Sequence, residues 1–555
     1  MRLTAGSETS GRVQKGAFSL RWNPVLAEAA YRDGHWVPTT LADALEQAAA
    51  QTPSRVLVVD GAVRLDSRHT HDRAHALAQA LLSRMAPGSV VSFMLPNWHE
   101  AAEVYLGITL AGMVAHPVLP SLRDHELRFQ LQDVGSRMLF IPSVFRRHDY
   151  VGMLQRVLEG QQAAPEVVVV RGEPGPYQAY PTLFEDAVAP RALPALDPDA
   201  VRLVMYTSGT TGTSKGVLHT HNTLHALMRQ LGAHWRVEPG DAFLVPSPIS
   251  HIGGSIYAFE APLLLGSRAV LMERWEAEPG LRLAESEGCS HICGATPFLE
   301  QLLEAGRRLD SRLPALKLFI CGGASVPPAL IREAAAHFSG AAITRVYGST
   351  EVPVTTVGCP WRKDLALAAE TDGRPGVAQV RIANPGSGNA DGEIRVRGPQ
   401  MLVGYLHAAG ESEVFDADGY YRTGDLGRWR DDCLVVSGRS KDIIIRHGEN
   451  IAPKEVEDLL LGHPDIAEVA VVGVPDARTG ERACAVVVPA PGRPAPDVAS
   501  LVAFLAAHGV APFKFPEQVE AWQSLPRNDT GKVLKHVIRA ALLDRSQATA
   551  AGASP

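Results

Sequence analysis

The chain contains 555 residues, of which 46% are hydrophobic and 20% charged, a composition typical of a globular protein with large cores. Lysine and arginine number 53 against 60 aspartate and glutamate residues, and the formal charge of −7 excludes a general attraction to nucleic acid or anionic membranes. Six cysteines without a CxxC pair exclude a disulfide scaffold and favour a reducing, cytoplasmic location.

The pattern of hydrophobic runs divides the chain into a large body and a smaller C-terminal region. Between residues 56 and 347, short β-branched runs alternate with segments of helical period, which is typical of strands joined by crossover helices. Short strands with glycine turns follow residue 391, and a mixed pattern begins near residue 438. The expected fold class is α/β, with a large N-terminal body of layered α/β subdomains, a β-rich subdomain and a small mobile α+β C-terminal domain.

The predicted boundaries follow this division. We expect an unstructured tail over residues 1–18, a large domain over 19–438 with its β-rich part at about 380–438, a small domain over 439–544, and a second unstructured tail over 545–555. Both tails consist of small and polar residues, which is typical of loosely ordered chain ends. The N-terminus lacks the apolar stretch of a secretory signal, and no run approaches the ~18 apolar residues that span a bilayer.

Cys289, His291 and Cys293 form a Cys-x-His-x-Cys cluster that resembles a set of metal ligands. A structural zinc site needs four ligands, however, and no second half lies nearby. We therefore expect these residues to contribute to strand packing.

The strongest local signal is an apolar run that leads into a loop of small and hydroxyl residues, VMYTSGTTGTSKGV at 204–217. Glycines let backbone N–H groups approach phosphate oxygens, hydroxyls donate further hydrogen bonds, and Lys215 adds a positive charge. Because Ser214 precedes Lys215 and Gly216 follows it, the loop is not a Walker A motif, which disfavours phosphoryl transfer of that kind. A flexible linker is the alternative, but a linker has no reason to follow a buried strand directly.

Further motifs follow in the order VYGSTE at 346–351, YRTGDLG at 421–427, GRSKDIIIRHGENIAPKEVE at 438–457 and PRNDTGKVLK at 526–535. Together with the loop they resemble the adenylate-forming superfamily, which includes acyl-CoA synthetases, nonribosomal adenylation domains and beetle luciferases. The resemblance extends over residues 20–544 and is closest to bacterial ligases for medium-chain, alicyclic or aromatic acids. It implies that ATP, Mg²⁺ and coenzyme A are used.

The resemblance also implies individual roles in catalysis. Lys215 stabilises pyrophosphate, Glu351 binds Mg²⁺, Asp425 binds the ribose hydroxyls, and Arg439 reaches ribose or phosphate. Lys532 neutralises the charge that develops as a carboxylate attacks the α-phosphorus. Tyr347 is placed to stack on the purine. The full set of implied ATP-binding residues is Thr207, Ser208, Gly209, Thr210, Thr211, Gly212, Lys215, Gly322, Gly323, Ala324, Tyr347, Gly348, Ser349, Thr350, Asp425, Arg439 and Lys532.

The segment SPISHIGG indicates where the acid binds, because its His251 occupies the position where the family carries an aromatic residue or histidine beside the substrate carboxylate. The apolar residues 252–259 are consistent with one wall of a hydrophobic pocket. Small residues after the predicted strand at 316–321 leave room for a ligand. The candidate acyl-pocket residues are His251, Ile252, Gly253, Tyr257, Gly322 and Ala324, and the implied catalytic residues are Lys532, Lys215, Glu351 and His251.

The C-terminal region carries the candidate residues for domain movement and thiol binding. Lys441 occupies the family's hinge position, and Gly448, Glu449 and Lys514 are candidates for binding coenzyme A. Arg446 and His447 stand where many relatives have a small residue, which leaves the local route for the thiol open.

The expected activity is ATP-dependent formation of an acyl-AMP with release of pyrophosphate, followed by transfer of the acyl group to coenzyme A with release of AMP. One alternative is an acyl-AMP ligase that loads a carrier protein in trans, and another is a catalytically silent nucleotide-binding protein. The expected partners are the acid, ATP and coenzyme A. A homodimer is an option, and neither nucleic acid nor integral membrane association is expected.

Overall fold

The computed structural model describes residues 11–185, 191–207, 214–323, 326–383, 391–408, 411–446, 449–476, 478–528 and 531–551. In chain order the strands are β1 Gly11–Lys15, β2 Phe18–Trp22, β3 Val56–Asp60, β4 Val63–Asp66, β5 Val90–Phe93, β6 Val114–Pro117, β7 Ser136–Ile141, β8 Val144–Phe145, β9 His148–Asp149, β10 Glu166–Val169, β11 Gln178–Ala179, β12 Val201–Thr207, β13 Lys215–Thr220, β14 Ala242–Val245, β15 Arg268–Leu271, β16 His291–Gly294, β17 Leu318–Gly322, β18 Ala342–Val346, β19 Thr356–Gly358, β20 Arg374–Pro375, β21 Gln379–Ala383, β22 Gly392–Arg397, β23 Tyr421–Arg430, β24 Cys433–Arg439, β25 Ile444–Arg446, β26 Glu449–Ile451, β27 Ile466–Asp476, β28 Gly480–Pro489 and β29 Gln518–Ala521.

The α-helices connect these strands and cover the sheets. They are α1 Pro24–Arg32, α2 Leu41–Gln51, α3 Ser67–Arg84, α4 His99–Leu110, α5 Asp124–Asp133, α6 Tyr150–Leu158, α7 His221–His234, α8 Ile252–Ser255, α9 Ala261–Leu264, α10 Ala277–Ser286, α11 Thr296–Leu309, α12 Pro328–His337, α13 Leu365–Glu370, α14 Glu411–Val414, α15 Pro453–Leu460, α16 Val498–Ala507 and α17 Lys535–Ala551. None of the helices in the described part of the chain combines the length and the hydrophobicity needed to cross a bilayer.

Two seven-stranded sheets form the large body. The first has the strand order β11-β10-β7-β5-β6-β12-β13 and the second β18-β17-β16-β14-β15-β3-β4. Both are parallel except at one edge, where β12 pairs with β13 and β3 pairs with β4 in antiparallel fashion. Their buried, β-branched strands explain the near-continuous apolar runs in the sequence. The antiparallel sheet β21-β22-β23-β24 forms the β-rich part, so the predicted fold class is confirmed.

The C-terminal region forms a separate α+β unit. Its five-stranded sheet contains β26-β25-β28-β27, with β29 added in parallel beside β28. Helix α15 has its apolar face on this sheet, where Val456 and Leu460 are fully buried. The strands and helices predicted for residues 442–509 are present, while the precise domain boundaries stay predictions.

Both predicted tails are wrong in part. Residues 11–22 form the antiparallel hairpin β1-β2, in which Phe18 and Leu20 are buried. At the other end, α17 continues to Ala551. The N-terminal segment consists mostly of small and polar residues, so its sequence does not indicate a strand, although two inward-facing apolar side chains are enough to form one. Residues 1–10 and 552–555 lie outside the described residues.

A buried ion pair connects the first sheet to the segment that follows α8. Arg202 of β12 donates to Glu260 Oε1 at 2.6 Å, and both side chains are almost completely buried. Glu260 ends a π-helical turn, Ile256–Glu260, and also accepts a hydrogen bond from the Tyr105 hydroxyl at 2.6 Å. Removing one partner of such a pair destabilises a protein by about 3–5 kcal/mol, because the other charge is left buried. The pair therefore fixes β12 relative to the predicted acyl pocket.

The Cys-x-His-x-Cys cluster packs within and beside β16, as expected. His291 stacks on Phe243, with ring centroids 4.7 Å apart, and its Nε2 lies 2.9 Å from the Trp235 carbonyl oxygen. Among the described residues, Asp60, His99 and Glu100 form the one group with the spacing of metal ligands. The guanidinium of Arg171 contacts both carboxylates, at 3.1 and 2.7 Å, and so already offsets part of their charge.

Candidate active site

The predicted phosphate loop joins the antiparallel strands β12 and β13. Thr207 and Lys215 face each other across the open end of this hairpin. The Thr207 hydroxyl donates to Glu351 Oε1 at 3.3 Å, and the Lys215 ammonium lies 5.4 Å from the centre of the Tyr405 ring. Thr207 at one end of the loop thus contacts Glu351 directly, and Lys215 at the other end lies over the ring of Tyr405. The loop residues Ser208, Gly209, Thr210, Thr211 and Gly212 lie outside the described residues and stay predictions.

Glu351 is held by a tyrosine that sequence reasoning missed. The Tyr405 hydroxyl donates to Glu351 Oε1 at 3.2 Å and lies 3.1 Å from the Tyr421 hydroxyl. Burial and the neighbouring carboxylate raise the pKa of Tyr405 well above its usual value, so the hydroxyl stays a donor. No described residue donates to Glu351 Oε2. Tyr405 lies far along the chain from VYGSTE, in a segment without a motif, so no local signal marks it.

The buried side chain of His219 fixes the backbone just before Glu351, and the sequence analysis did not identify this residue either. His219 of β13 donates through Nε2 to the Thr350 carbonyl oxygen at 2.7 Å. Burial lowers the pKa of His219 to about 4, so the ring is neutral at physiological pH. This contact joins the strand that begins at Lys215 to the YGSTE segment, whose Gly348 and Ser349 lie between β18 and Glu351.

Asp425 lies at the centre of a second polar cluster. In the register of β23 and β24, Asp425 faces Arg439, and its Oδ1 is 3.1 Å from Arg439 Nε. The Tyr347 hydroxyl donates to Asp425 Oδ2 at 2.6 Å. Carboxylate oxygens have further lone pairs, so these contacts leave acceptor capacity for ribose hydroxyls. The predicted purine-stacking residue is thus connected to the predicted ribose ligand.

Lys532 of the C-terminal domain reaches this cluster. It lies close enough to Arg439, Asp425 and Asp442 for their charges to act on it. Burial, together with the charge of Arg439, lowers the pKa of Lys532 to about 8, against the opposing effects of Asp425 and Asp442. The turn containing Lys532 also contacts the large domain, because a Cβ at Gly531 would lie 3.6 Å from Pro297.

The predicted acyl pocket is partly supported by open space. A Cβ built on Gly253 or on Gly323 would meet no atom within 4 Å, whereas Gly254 is packed against the carbonyl oxygen of Pro248. His251 is half-buried directly before α8. Tyr257, by contrast, packs in the core, stacked on Phe243 with ring centroids 5.3 Å apart, so it does not face an open pocket. Gly322 ends β17, and Ala324 lies outside the described residues.

Asn97 positions the loop that carries His251, although no motif marks it. Its side-chain oxygen accepts from the Ile249 N–H at 3.0 Å. Its amide group donates to the carbonyl oxygens of Val245 and Ser247 at 3.0 and 2.9 Å. A buried asparagine with these hydrogen bonds fixes the path of the chain from β14 to α8.

The candidate residues for hinge and coenzyme A lie apart from one another. Lys441 is exposed in the turn between β24 and β25, where Ser440 Oγ donates to the Gly424 carbonyl oxygen at 3.0 Å. Glu449 is exposed on β26. The Lys514 ammonium pairs with both oxygens of Glu455 at 2.7 and 2.6 Å, so its charge is compensated within the C-terminal domain. Gly448 lies outside the described residues.

The lowered pKa of Lys532 predicts a pH dependence. If the ammonium form is needed in the first half-reaction, kcat/KM for acid-dependent pyrophosphate release should fall about tenfold per pH unit above pH 8, because the free enzyme loses this proton there. The phosphates of bound ATP raise the pKa of Lys532, so the fall in kcat should begin at a higher pH than the fall in kcat/KM. Thioester formation from supplied acyl-AMP should not fall over this pH range. The same fall in both half-reactions would contradict the role assigned to Lys532.

Replacing Tyr405 by phenylalanine should raise the Mg²⁺ concentration for half-maximal pyrophosphate release about tenfold, because one of the two donors that orient Glu351 is lost. The phenylalanine variant keeps the aromatic ring that lies next to the Lys215 ammonium. Tyr421→Phe is the matched control, since its hydroxyl contacts only Tyr405 among these residues. Binding of Mn²⁺ in the presence of an ATP analogue, followed by electron paramagnetic resonance, gives a readout independent of turnover. Unchanged metal affinity would contradict the assigned contact.

Comparisons with known proteins agree with this arrangement. Residues 45–406 match the AMP-binding enzyme family, and residues 455–532 match the AMP-binding enzyme C-terminal domain. The chain is 33% identical over 537 residues to the medium-chain fatty-acid–CoA ligase of Escherichia coli, and this alignment covers 93% of each chain. It is 32% identical over 538 residues to the salicyl-AMP ligase / salicyl-S-ArCP synthetase of Mycobacterium tuberculosis, again 93% of each chain.

The fold comparison points in the same direction. The crystal structure of ATP-bound MatB from Rhodopseudomonas palustris has a TM-score of 0.79 and 26% sequence identity, with 91% of this chain and 99% of that chain covered. The family match extends over more than half of the sequence and includes Lys215, Glu351 and the phosphate loop. The chain therefore belongs to the AMP-binding enzyme family.

Proposed function

We propose that the protein is an ATP-dependent acid–thiol ligase that forms an acyl-AMP and then transfers the acyl group to coenzyme A. The observation that carries this proposal is the convergence of separate parts of the chain. Lys215 lies over the Tyr405 ring, whose hydroxyl donates to Glu351. Asp425, Arg439 and Lys532 form a second cluster. A catalytically silent nucleotide-binding protein has no chemical need for a lysine from a second domain in this position.

A free carboxylate is a poor acyl donor, because its charge repels nucleophiles and its leaving group would be oxide. In the proposed first half-reaction the acid's oxygen attacks the α-phosphorus of ATP, and pyrophosphate leaves. Asp425 and Tyr347 orient the nucleoside, and Lys532 and Arg439 place positive charge beside the reacting phosphate. Lys215 stabilises the departing pyrophosphate.

The residues around Glu351 fit a bound Mg²⁺. A hard cation of this kind prefers carboxylate and phosphate oxygens, and Glu351 has one oxygen fixed by Thr207 and Tyr405 while the other accepts from no described residue. When bound, Mg²⁺ offsets charge on the phosphate oxygens. We assign Glu351 as its protein ligand and Tyr405 and Thr207 as the residues that orient this ligand.

The second half-reaction requires that the thiol reach the acyl carbon. Lys532 occupies part of the site, so the C-terminal domain has to move, and we propose rotation at Lys441. The hydrogen bond from Ser440 to the Gly424 carbonyl oxygen connects the hinge to the large domain, and this bond has to break during the rotation. Gly448, Glu449 and Lys514 stay candidates for the coenzyme A contacts in the rotated form.

The acid is proposed to be a medium-chain, alicyclic or aromatic carboxylic acid. Open space beside Gly253 and Gly323, next to a half-buried His251, supports an apolar substrate. The two relatives are, by name, ligases for a medium-chain fatty acid and for salicylate, an aromatic acid. The second name also supports a different acceptor, a carrier protein loaded in trans. The six free cysteines favour a cytoplasmic location.

The proposal is tested with a panel of straight-chain, alicyclic and aromatic acids. Pyrophosphate release from MgATP is measured for each acid, with and without coenzyme A, and the products are separated as acyl-AMP or thioester. We expect acid-dependent release with at least one class and thioester when coenzyme A is present. Accumulation of acyl-AMP despite coenzyme A would support the carrier-loading alternative. ATP binding without pyrophosphate release from any acid would overturn the proposal.

A further inference from the structure

Two cysteines outside the active site lie in contact with each other. Cys359 follows β19, Cys433 begins β24, and their Sγ atoms are 3.7 Å apart although 74 residues separate them in sequence. Both are fully buried. The other cysteines, Cys289, Cys293, Cys321 and Cys484, are also buried. Burial is the main cause that raises the pKa of each of these four.

The contact between Cys359 and Cys433 is polarised by charged neighbours. Arg374 Nη1 lies 3.5 Å from Cys359 Sγ, and Asp432 Oδ1 lies 3.5 Å from Cys433 Sγ. A hydrogen bond from the Cys433 thiol and the charge of Arg374 lower the pKa of Cys359, whereas the same hydrogen bond raises the pKa of Cys433. The guanidinium of Arg374 thus favours the thiolate form of Cys359 over that of Cys433.

The pair lies one side-chain layer below the surface. Arg374 also bonds to Asp432 at 2.6 Å and to Asp364 at 3.4 Å, and the side chain of Asp432 is 63% exposed. Opening of the Arg374–Asp432 ion pair would admit a small oxidant. A bulky thiol reagent would still be excluded.

We propose that Cys359 and Cys433 form an oxidisable dithiol that closes to a disulfide on reaction with a hydroperoxide. Cys359 thiolate attacks the peroxide oxygen, the O–O bond breaks, and hydrogen peroxide gives sulfenic acid and, after protonation, water. Cys433 sulfur then attacks the Cys359 sulfur, the S–O bond breaks as the S–S bond forms, and the hydroxyl group takes the proton of the Cys433 thiol and leaves as a second water. Two thiols are oxidised and one peroxide is reduced to two waters, so atoms and electrons balance.

The geometry requires only local movement. The Sγ atoms must approach from 3.7 Å to about 2.05 Å. Both cysteines belong to the large domain, and Arg439 lies at the opposite end of β24, about 20 Å away at the rise of an extended strand. The disulfide should therefore leave domain rotation possible. It should also stabilise the large domain against unfolding, because it closes a long loop of the chain. We expect adenylation activity to change less than twofold and the melting temperature of the oxidised protein to rise by a few degrees.

The test uses the full chain, reduced and then exposed to hydrogen peroxide at stoichiometric to tenfold excess. Remaining thiols are alkylated in denaturant, and unreduced peptides are mapped by mass spectrometry. We expect one new cross-link, between the peptides containing Cys359 and Cys433, which dithiothreitol removes. Cys484→Ser is the control and should retain it. Cys433→Ser should instead leave Cys359 as a sulfenic acid, which dimedone traps when the oxidised protein is unfolded in its presence.

The measurement on the unmodified chain is decisive, because it does not depend on how a serine variant folds. Any of three results would overturn the proposal. They are oxidation of methionines before any cross-link forms, a cross-link between a different pair of cysteines, and stable sulfinic acid on Cys359 while Cys433 is still reduced. These outcomes say nothing about adenylation, so the proposed function and the dithiol are tested separately.

Discussion

Replacing Lys532 by alanine is expected to slow acid-dependent pyrophosphate release by about 100–1000-fold, the usual loss when one preorganised charge-stabilising group is removed. The reason is positional: Lys532 is the cation that the C-terminal domain brings to Asp425 and Arg439. Thioester formation from supplied acyl-AMP should stay within a few-fold of the unmodified enzyme, because in the proposed mechanism the C-terminal domain rotates away before that step. Single-turnover assays of each half-reaction measure both numbers.

Lys535→Ala provides the matched control for this experiment. Lys535 lies three residues along the chain and pairs with Glu457 at 2.6 Å within the C-terminal domain. Because Glu457 is buried, removing Lys535 should lower the stability of the C-terminal domain measurably, but neither half-reaction should fall by more than a few-fold. Equal loss of both half-reactions in Lys532→Ala, or no loss in the first, would contradict the role assigned to Lys532.

Glu351→Gln is expected to reduce pyrophosphate release by at least about 100-fold and to raise the Mg²⁺ requirement strongly. The amide is isosteric and its oxygen still accepts from Tyr405 and Thr207, so the local structure should persist. What is lost is the negative charge that a hard cation needs. Titration of pyrophosphate release with Mg²⁺, with circular dichroism as a check on folding, measures the effect.

Glu370→Gln is the control for that variant. Glu370 lies on α13 and pairs with Arg332 and Arg430 at the surface, away from the candidate site. Its loss should leave the Mg²⁺ dependence unchanged. A Glu351→Gln enzyme with normal Mg²⁺ dependence would show that the cation is held elsewhere.

The sequence predicts the fold class and the separate motifs because both depend on local pattern. Buried parallel strands read as apolar runs, and the loop before Lys215 combines glycine and hydroxyl residues that have one obvious chemical use. The family resemblance then assigns Glu351, Asp425 and Lys532, which lie in different motifs. The structure places these residues in neighbouring clusters, and the family match confirms the resemblance.

Contacts between distant segments could not be read from the sequence. The hydrogen bond from Tyr405 to Glu351 and the one from His219 to Thr350 depend on packing between strands. Tyr257 was expected in the pocket because it lies near His251, but the π-helical turn directs it into the core against Phe243. The hairpin at residues 11–22 was missed because two buried apolar side chains give too weak a pattern.

The most direct test of acyl-AMP formation follows an oxygen atom. A carboxylic acid that supports turnover is labelled with ¹⁸O in both carboxyl oxygens and incubated with MgATP, coenzyme A and the enzyme. If the acid attacks the α-phosphorus, one labelled oxygen becomes the bridge of the anhydride, and the released AMP carries one ¹⁸O. Unlabelled AMP, or label recovered in inorganic phosphate beside ADP, would contradict acyl transfer through an adenylate.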